Sequence, residues 1–327
     1  MHLLTMTTVA ESYQPTQIME SSWLLEKLIQ APMEYEQWLE RYASGIIFRL
    51  AFGRRIVTGR EEEVRRIYKV VRNVERIASP GAYLVDTFPV LMHLPSFLAP
   101  FKKELEGLHQ EELSLFRKLR DEVPADADAT ECWEHVAVKK GEEVNLSPDH
   151  VAYVVGTLFE AGSGTTAAAM MSFLLAMVLH PEALQKLQEE LDRVVGSNRL
   201  PEFEDLPNLP LVRATVKEVL RWRPVTAGGV PHQTTKDDVY NGIFIPAGTN
   251  VHANQWLVTP LSLPVAQLLS EIIGLFIAIR SCTQTPRSSS QSGGYPQNIR
   301  LTVSLYRPIL TYKISQDSGS AVVSAPG

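Results

Sequence analysis

The segment Ala161-Gly-Ser-Gly-Thr-Thr166 and the later segment Glu218-Val-Leu-Arg221 decide the fold expected for this chain of 327 residues. The first segment lies inside a long apolar run, where each glycine costs a helix roughly 1 kcal/mol relative to alanine. Glycines placed there at this cost indicate that another group packs closely against the backbone. In the second segment Glu218 and Arg221 are three residues apart, so they extend from one helix face and can form a buried ion pair.

The flanking sequence places these segments on helices. Residues 147–149 (Ser-Pro-Asp) are typical of a helix start, with an N-cap, a proline at the first position and an early acid. The helix is predicted to run for about thirty residues to roughly His180, long enough at 1.5 Å per residue to cross a whole domain. Residues 239–245 read as two short strands joined by an Asn241-Gly242 turn. The predicted fold is therefore mainly α, with a long central helix, flanking helices and a minor β-hairpin or sheet.

Composition limits the class of protein. The apolar fraction of 45% and the charged fraction of 21% are those of a soluble globular protein. The net charge of −6 argues against nucleic acid as a partner. Two cysteines, Cys132 and Cys282, are too few for a disulfide framework and favour a reducing compartment. No basic and apolar leader begins the sequence and no stretch approaches the ~20 apolar residues of a membrane span, so we expect a chain without a membrane anchor.

Each motif alone has an ordinary structural explanation. Gly162 and Gly164 fit close helix–helix packing, or alternatively a helix that bulges over a ligand. A phosphate loop is excluded because the segment lacks Gly-Lys-Ser/Thr and lies within a helix. A Glu/Arg pair is common on helix surfaces, where it contributes little. The order of the motifs is more specific, since the Glu/Arg segment is followed by Trp222-Arg223-Pro224, Pro231-His232 and the Asn241-Gly242 turn.

In this order, residues 1–256 resemble the middle of a fungal microsomal cytochrome P-450 of the secondary-metabolism type, a haem-thiolate monooxygenase. The resemblance implies that the central helix motif comprises Ala161, Gly162 and Gly164 with Thr165 and Thr166. It also implies that Thr165 helps to deliver protons during oxygen activation. Gly164 stands where many family members have an acid, so the expected proton path depends on Thr165 and water.

The same resemblance implies further roles and partners. Glu218 and Arg221 match a structural pair behind the haem, and His232 is expected to contact a haem propionate. Residues 85–89 with Leu94-Pro95 match a region that covers the substrate. The implied cofactor is haem b, the implied partner is NADPH-cytochrome P-450 reductase, and the implied substrate is a small apolar molecule.

The iron ligand is the part of the family pattern that the sequence does not match. The family binds iron through a cysteine thiolate in a Phe-x-x-Gly-x-Arg-x-Cys-x-Gly loop. Cys282 is the only late cysteine, and Arg280 lies at the required position before it. Leu275 replaces the phenylalanine, while Ala278 and Gln284 replace the two glycines. A chance match is therefore favoured over an iron ligand, and no metal-ligating residue is identified.

Two hypotheses for the function follow. Residues 1–256 are interpreted as a partial domain that lacks the family's N-terminal anchor, first sheet and propionate-binding helix, and 257–327 as a low-charge, disordered tail. One hypothesis is a monooxygenase of fungal secondary metabolism that oxidises an apolar metabolite with O2 and reductase electrons. The other, favoured for the sequence as written, is a catalytically defective remnant without the cysteine loop. Family members lie at the endoplasmic-reticulum membrane, whereas a chain without an anchor is expected to be cytoplasmic or peripheral.

Overall fold

A computed structural model describes residues 12–79, 81–124 and 132–255, and the backbone of 313–317 and 320–324. The helices in this part are α1 (Gln14–Gln30), α2 (Tyr35–Phe52), α3 (Glu62–Ile77), α4 (Pro100–Asp121), α5 (Trp133–Glu143), α6 (Pro148–Leu179), α7 (Pro181–Val194) and α8 (Pro210–Trp222). The strands are β1 (Pro231–Gln233), β2 (Asp238–Tyr240), β3 (Ile243–Ile245), β4 (Asn250–His252), β5 (Lys313–Asp317) and β6 (Ser320–Ser324). Short 3-10 helices cover Pro32–Glu34, Leu84–Asp86, Pro89–His93, Ser96–Leu98 and Phe203–Asn208.

The predicted long central helix is confirmed as α6, which has 32 residues. Its start follows the predicted signals: the Ser147 side chain accepts a hydrogen bond from the His150 amide at 3.3 Å, and Pro148 occupies the first turn. The helix ends with His180 as its C-cap. It packs against α2, α3, α4, α5, α7 and α8, so the core of the domain is built around it.

Aromatic side chains fill the contact between α2 and α6. The ring centroids of Phe48 and Phe159 are 5.3 Å apart, and Phe52 stands edge-on to Phe159 at 5.8 Å. All three side chains are buried, at the separations that aromatic pairs prefer. This cluster fixes the rotation of α6, because the face that carries Phe159 must point to α2.

By length and composition alone, α6 could also cross a membrane, with a mean hydropathy of 1.5 over its most apolar stretch, of which 44% is buried. The expectation that no stretch is apolar enough for a span was therefore wrong. Uncharged glycine, alanine, serine and threonine keep the average hydropathy high without an unbroken apolar run. The contacts of α6 with six other helices are those of the core helix of a globular domain.

A buried ion pair joins α1 to α2. Glu20 and Arg41 are both fully buried, and the Arg41 guanidinium donates to the Glu20 carboxylate and to the carbonyl oxygen of Ile56. The guanidinium also lies 3.9 Å from the ring centroid of Trp23. Arg55 approaches the other oxygen of Glu20 at 3.4 Å. Buried charges require such partners, because their desolvation is otherwise uncompensated.

The described strands form small antiparallel pairs. The predicted hairpin is confirmed: β2 pairs with β3, and both turn residues have positive φ, 50° for Asn241 and 80° for Gly242. This is the backbone shape of the two-residue turns that Asn-Gly favours. A second pair joins β1 to β4, with His232 opposite Val251.

The chain divides into two compact units, Met1–Arg280 and Ser281–Gly327. In the second unit β5 and β6 form an antiparallel pair with Lys313 opposite Ser324. Most of the segment predicted as a disordered tail, including Cys282, lies outside the described residues.

Candidate functional site

One strip of α6 is not covered by the described part of the chain. Val154, Thr157, Ala161 and Thr165 are all exposed, with Val154 at 42%. Residues at spacings of three and four share one helix face, so these four side chains form a continuous surface of small and apolar groups, here called the open face. An uncovered face on the central helix of a domain is the expected form of a ligand-binding surface.

The two predicted threonines take different positions. Thr165 lies on the open face, and its hydroxyl donates to the carbonyl oxygen of Ala161 at 2.8 Å. The hydroxyl oxygen of Thr165 can still accept a hydrogen bond from a molecule bound at the open face. Thr166 lies about 100° further round the helix and is half-buried. The geometry therefore favours Thr165 over Thr166 as the group that meets a ligand.

The two glycines also differ. A Cβ on Gly162 would lie 2.6 Å from Cγ1 of Ile47 on α2, so Gly162 is required for the close approach of α2 to α6. A Cβ on Gly164 would meet only Cγ1 of Val71, at 3.8 Å, which is an ordinary contact. The helix is continuous through both positions, so the alternative of a bulge is not observed. Close packing explains Gly162, whereas position 164 has room for a small side chain.

Glu160, which the sequence analysis did not select, is a half-buried carboxyl next to the open face. Burial and then the negative charge of Glu112 on α4 raise the pKa of Glu160 to about 7. Burial also raises the pKa of Glu112, against a hydrogen bond from Tyr153 and the charge of His109. The available sequence signal was an acid placed directly before Ala161 within an apolar run.

The Glu218–Arg221 pair is formed but is exposed, so the prediction of a buried pair was wrong. Nε of Arg221 donates to Oε2 of Glu218 at 2.6 Å, which lowers the pKa of that carboxyl. The Glu218 side chain is 58% exposed and the Arg221 side chain is 45% exposed. The reason is the apolar stripe of α8, formed by Val212, Val216 and Val219, which faces the core and turns the charged pair to the other side.

The position of α8 depends on a residue that the sequence analysis missed. Glu190 on α7 is buried, and its carboxylate oxygens accept hydrogen bonds from the backbone N–H groups of Leu211 and Val212, each at an N···O distance of 3.0 Å. The first amides of a helix have no partner within the helix, and the helix dipole favours a negative charge there. Glu190 therefore anchors the helix that carries the Glu218–Arg221 pair.

His232 lies on β1 and is exposed, with Nδ1 2.8 Å from the carbonyl oxygen of Val230. The turn before β1 is tight: Gly229 has φ of 69°, and a Cβ there would lie 2.0 Å from the carbonyl oxygen of Ala253. Glycine is therefore needed at this position. The expected contact of His232 with a propionate stays a prediction.

Comparison with solved structures identifies the class of fold. A zebra fish cytochrome P450 structure with progesterone matches with a TM-score of 0.62 at 23% identity, over 76% of this chain and 58% of that chain. The shared architecture is a mainly α domain with small antiparallel sheets, as predicted.

Comparison with protein families then identifies the family. The family model described as Cytochrome P450 matches residues 3–259, and the chain belongs to this family. Relatives include Cytochrome P450 monooxygenase 58 of Postia placenta, 38% identical over 76% of this chain and 48% of the relative. Cytochrome P450 monooxygenase aneD of Aspergillus aculeatus is 37% identical over 76% and 48%. The chain thus spans about half the length of these fungal relatives.

The family implies haem, and the described residues fit one side of it. The open face offers a surface of small groups to a flat ring, but no cluster of three His, Cys, Asp or Glu within the described ranges could hold a metal ion. Cys132 is buried and its thiol donates to the carbonyl oxygen of Ala51 at 3.2 Å. Burial raises the pKa of this thiol, which disfavours its thiolate form. A residue that would hold the iron of a haem is not identified within the described ranges.

Proposed function

We propose that this chain is the helical part of a monooxygenase of fungal secondary metabolism that oxidises an apolar metabolite with O2. The proposal rests on the open face of α6, where Thr165 is exposed on the helix around which the domain is built. The names of the fungal relatives, each a cytochrome P450 monooxygenase, support it. Electrons would come from NADPH-cytochrome P450 reductase, the partner implied by the family.

The residues have separate roles in this proposal. Haem, when bound, supplies the iron at which oxygen is activated. Ala161 leaves room for a flat ligand against the open face, and the Thr165 hydroxyl orients water or substrate by hydrogen bonding. Glu218 and Arg221 form a structural pair on α8, and His232 holds a propionate.

An apolar substrate is supported by the segment between α3 and α4. Its 3-10 helices expose large apolar side chains, with Leu84 at 72%, Val90 at 69% and Phe97 at 82%. Exposed apolar groups in this density mark a surface that meets apolar molecules or a lipid interface. They favour a peripheral position at a membrane over a cytoplasmic one, in a family that is often membrane-associated.

A second candidate is a catalytically defective chain, and we favour it for residues 1–327 by themselves. The observation behind it is the state of Cys132, a buried thiol hydrogen-bonded to Ala51. The segment around Cys282 lacks both glycines of the ligand loop, whose amides would face the sulfur. Without a thiolate, the electron donation that assists O–O cleavage is missing.

The carbon monoxide spectrum separates the two candidates. The purified chain, supplied with haem, is reduced and treated with carbon monoxide. A red-shifted Soret band of thiolate-ligated haem supports the monooxygenase, whereas no haem, or a histidine-type spectrum, supports the defective chain. Cys282→Ser should abolish a thiolate band and Cys132→Ser should preserve it, because the Cys132 thiol is committed to Ala51.

A further inference from the structure

A polar junction joins α2, α3 and α6 on the side of α6 that is turned away from the open face. The hydroxyl of Tyr68 on α3 lies 3.1 Å from the carbonyl oxygen of Ser163 on α6. It also lies 3.1 Å from Oγ of Ser44 and 3.2 Å from the carbonyl oxygen of Glu40, both on α2. Ser44 and Ser163 are fully buried, and Tyr68 is packed against the core, so the junction lies inside the contact of the three helices.

The protons of the two hydroxyl groups decide which helices the junction connects. Tyr68 has one hydroxyl proton, so it donates to only one of the two carbonyl oxygens at a time. When Ser44 donates to the Tyr68 oxygen and Tyr68 donates to Ser163, both protons are used and all three helices are joined. When Tyr68 donates to Glu40 instead, the hydrogen bond to α6 is lost. The first arrangement therefore makes the fuller use of these groups.

The turn of α6 at this junction has little stiffness of its own. Gly162 and Gly164 lower its helix propensity. The hydroxyls of Ser163 and Thr165 donate to the carbonyl oxygens four residues earlier, at 2.6 Å and 2.8 Å. Such bonds compete with those of the helix backbone and often bend a helix. The conformation of this turn therefore depends strongly on the groups that α2 and α3 pack against it.

The contact from α3 reaches this turn behind Thr165. Successive residues of an α-helix are about 100° apart, so Ser163 lies roughly 160° round α6 from Thr165. A hydrogen bond to Ser163 thus acts on the backbone from the side opposite to the Thr165 side chain. Val71, also on α3, would meet a Cβ on Gly164 only at 3.8 Å, which is an ordinary apolar contact. Tyr68 therefore supplies a directional contact between α3 and this turn.

We propose that Tyr68 is a positioning residue for the open face: its hydrogen bond to Ser163 sets the position of the turn of α6 that carries Thr165. This inference rests on the proposed function, because the position of Thr165 matters to a reaction only if a ligand binds at the open face. Tyr68 acts through the backbone of α6 and does not itself contact that ligand. Its hydroxyl contributes geometry, and no proton is transferred.

The first test is carbonyl NMR of the full chain without haem. Cell-free synthesis with [1-13C]serine and [15N]glycine selects the Ser-Gly pairs of the sequence, which are Ser44-Gly45, Ser163-Gly164, Ser292-Gly293 and Ser318-Gly319. The Ser163 carbonyl signal is assigned by its loss in Gly164→Ala. We expect Tyr68→Phe to shift this signal upfield, because a hydrogen bond to the oxygen polarises the carbonyl group.

The γ-methyl signal of Thr165 tests whether the effect reaches the open face. It is assigned by its loss in Thr165→Ser, and it should move in Tyr68→Phe. A hydroxyl that contributed to stability alone would leave this signal of the folded chain in place. Tyr42→Phe is the matched control, because it removes a buried hydroxyl that lies 3.1 Å from Oγ of Ser21 on α1. It should leave the Ser163 carbonyl and the Thr165 methyl signals where they are.

Two further measurements complete the test. Ser44→Ala keeps the Tyr68 hydroxyl, so the Ser163 carbonyl signal should stay downfield of its position in Tyr68→Phe. Incorporation of 3-fluorotyrosine makes the hydroxyl a stronger donor without any substitution, so it should shift the Ser163 signal downfield even if Tyr68→Phe does not fold.

The proposal is overturned by a Ser163 carbonyl signal that neither Tyr68→Phe nor 3-fluorotyrosine shifts. It is also overturned by a Thr165 methyl signal that stays in place in Tyr68→Phe, or that moves equally in Tyr42→Phe or Ser44→Ala. None of these measurements uses haem, so their failure and a failed carbon monoxide test are distinguishable.

Discussion

Replacing Glu20 by glutamine removes the carboxylate that neutralises Arg41 in the interior, while nearly preserving its shape. Both side chains are fully buried, so water cannot take over the solvation of the guanidinium. The carbonyl oxygen of Ile56 and the ring of Trp23 remain as partners, but neither carries a full charge. Breaking a buried pair from one side costs about 3–5 kcal/mol, and we expect Glu20→Gln to lower the free energy of unfolding by that amount.

The assay is urea unfolding of the full chain followed by circular dichroism, with the free energy taken at constant m-value. The matched control is Asp149→Asn, which removes the carboxylate from an exposed ion pair. Arg117 and Asp149 are 2.7 Å apart and their side chains are 48% and 42% exposed, so this change should cost at most about 1 kcal/mol. The double variant Glu20→Met with Arg41→Met should be more stable than Glu20→Gln, because no unpaired charge stays buried.

Two comparisons of the free energy of unfolding test this explanation of the buried pair. If Glu20→Gln costs no more than Asp149→Asn, the interior tolerates an unpaired guanidinium and burial is not what makes the pair important. If the double variant is less stable than Glu20→Gln, the pair contributes through its own attraction and not through avoided desolvation. Either result would contradict the account given for α1 and α2.

Three further predictions concern single residues. Glu134 is buried at 2% exposure, and burial raises its pKa from 4.5 to about 7. The contribution of Glu134 to stability is therefore present below pH 4.5 and is lost as the pH rises through 7. Glu134→Gln should be more stable than the unsubstituted chain at pH 8 by about 3 kcal/mol, and this gain should disappear in urea unfolding at pH 4.5. Gly162→Ala should lower the unfolding temperature, because its Cβ would meet Ile47 at 2.6 Å and overpacking costs about 1–3 kcal/mol. Gly164→Ala should raise or preserve the unfolding temperature, and equal effects of the two substitutions would refute the packing argument. Glu190→Gln should weaken the anchor of α8 by about 2 kcal/mol, seen as faster hydrogen exchange at the Leu211 amide; unchanged exchange would show that α8 is held by its apolar stripe alone.

The sequence was most informative where a signal is local. The start of α6 follows from Ser147 and Pro148, whose capping and fixed φ act within one helical turn. The hairpin follows from Asn241-Gly242, because few other residue pairs accept positive φ at both positions. Both were predicted from the residues themselves, without knowledge of any contact.

Features that depend on packing between distant segments were not predictable in the same way. Glu20 and Arg41 are 21 positions apart, and their pairing depends on how α1 lies against α2. The spacing of Glu218 and Arg221 correctly predicts that they meet, but burial depends on what covers α8, which their spacing does not contain. Glu160 was passed over because its raised pKa is caused by burial and by the charge of Glu112 on another helix, and neither follows from its own position in the sequence.

The anchor of α8 requires one particular side chain, the carboxylate of Glu190, whereas its hydrogen-bond donors are backbone N–H groups. Glu190 binds the main-chain amides of residues 211 and 212, and every amino acid except proline carries such an amide. The hydrogen bonds of the anchor therefore do not depend on which side chains stand at these two positions, as long as proline is avoided, whereas the buried Val212 side chain is still required by the apolar stripe. A redesigned first turn of this helix that keeps Val212 would retain its hydrogen bonds to Glu190 on α7.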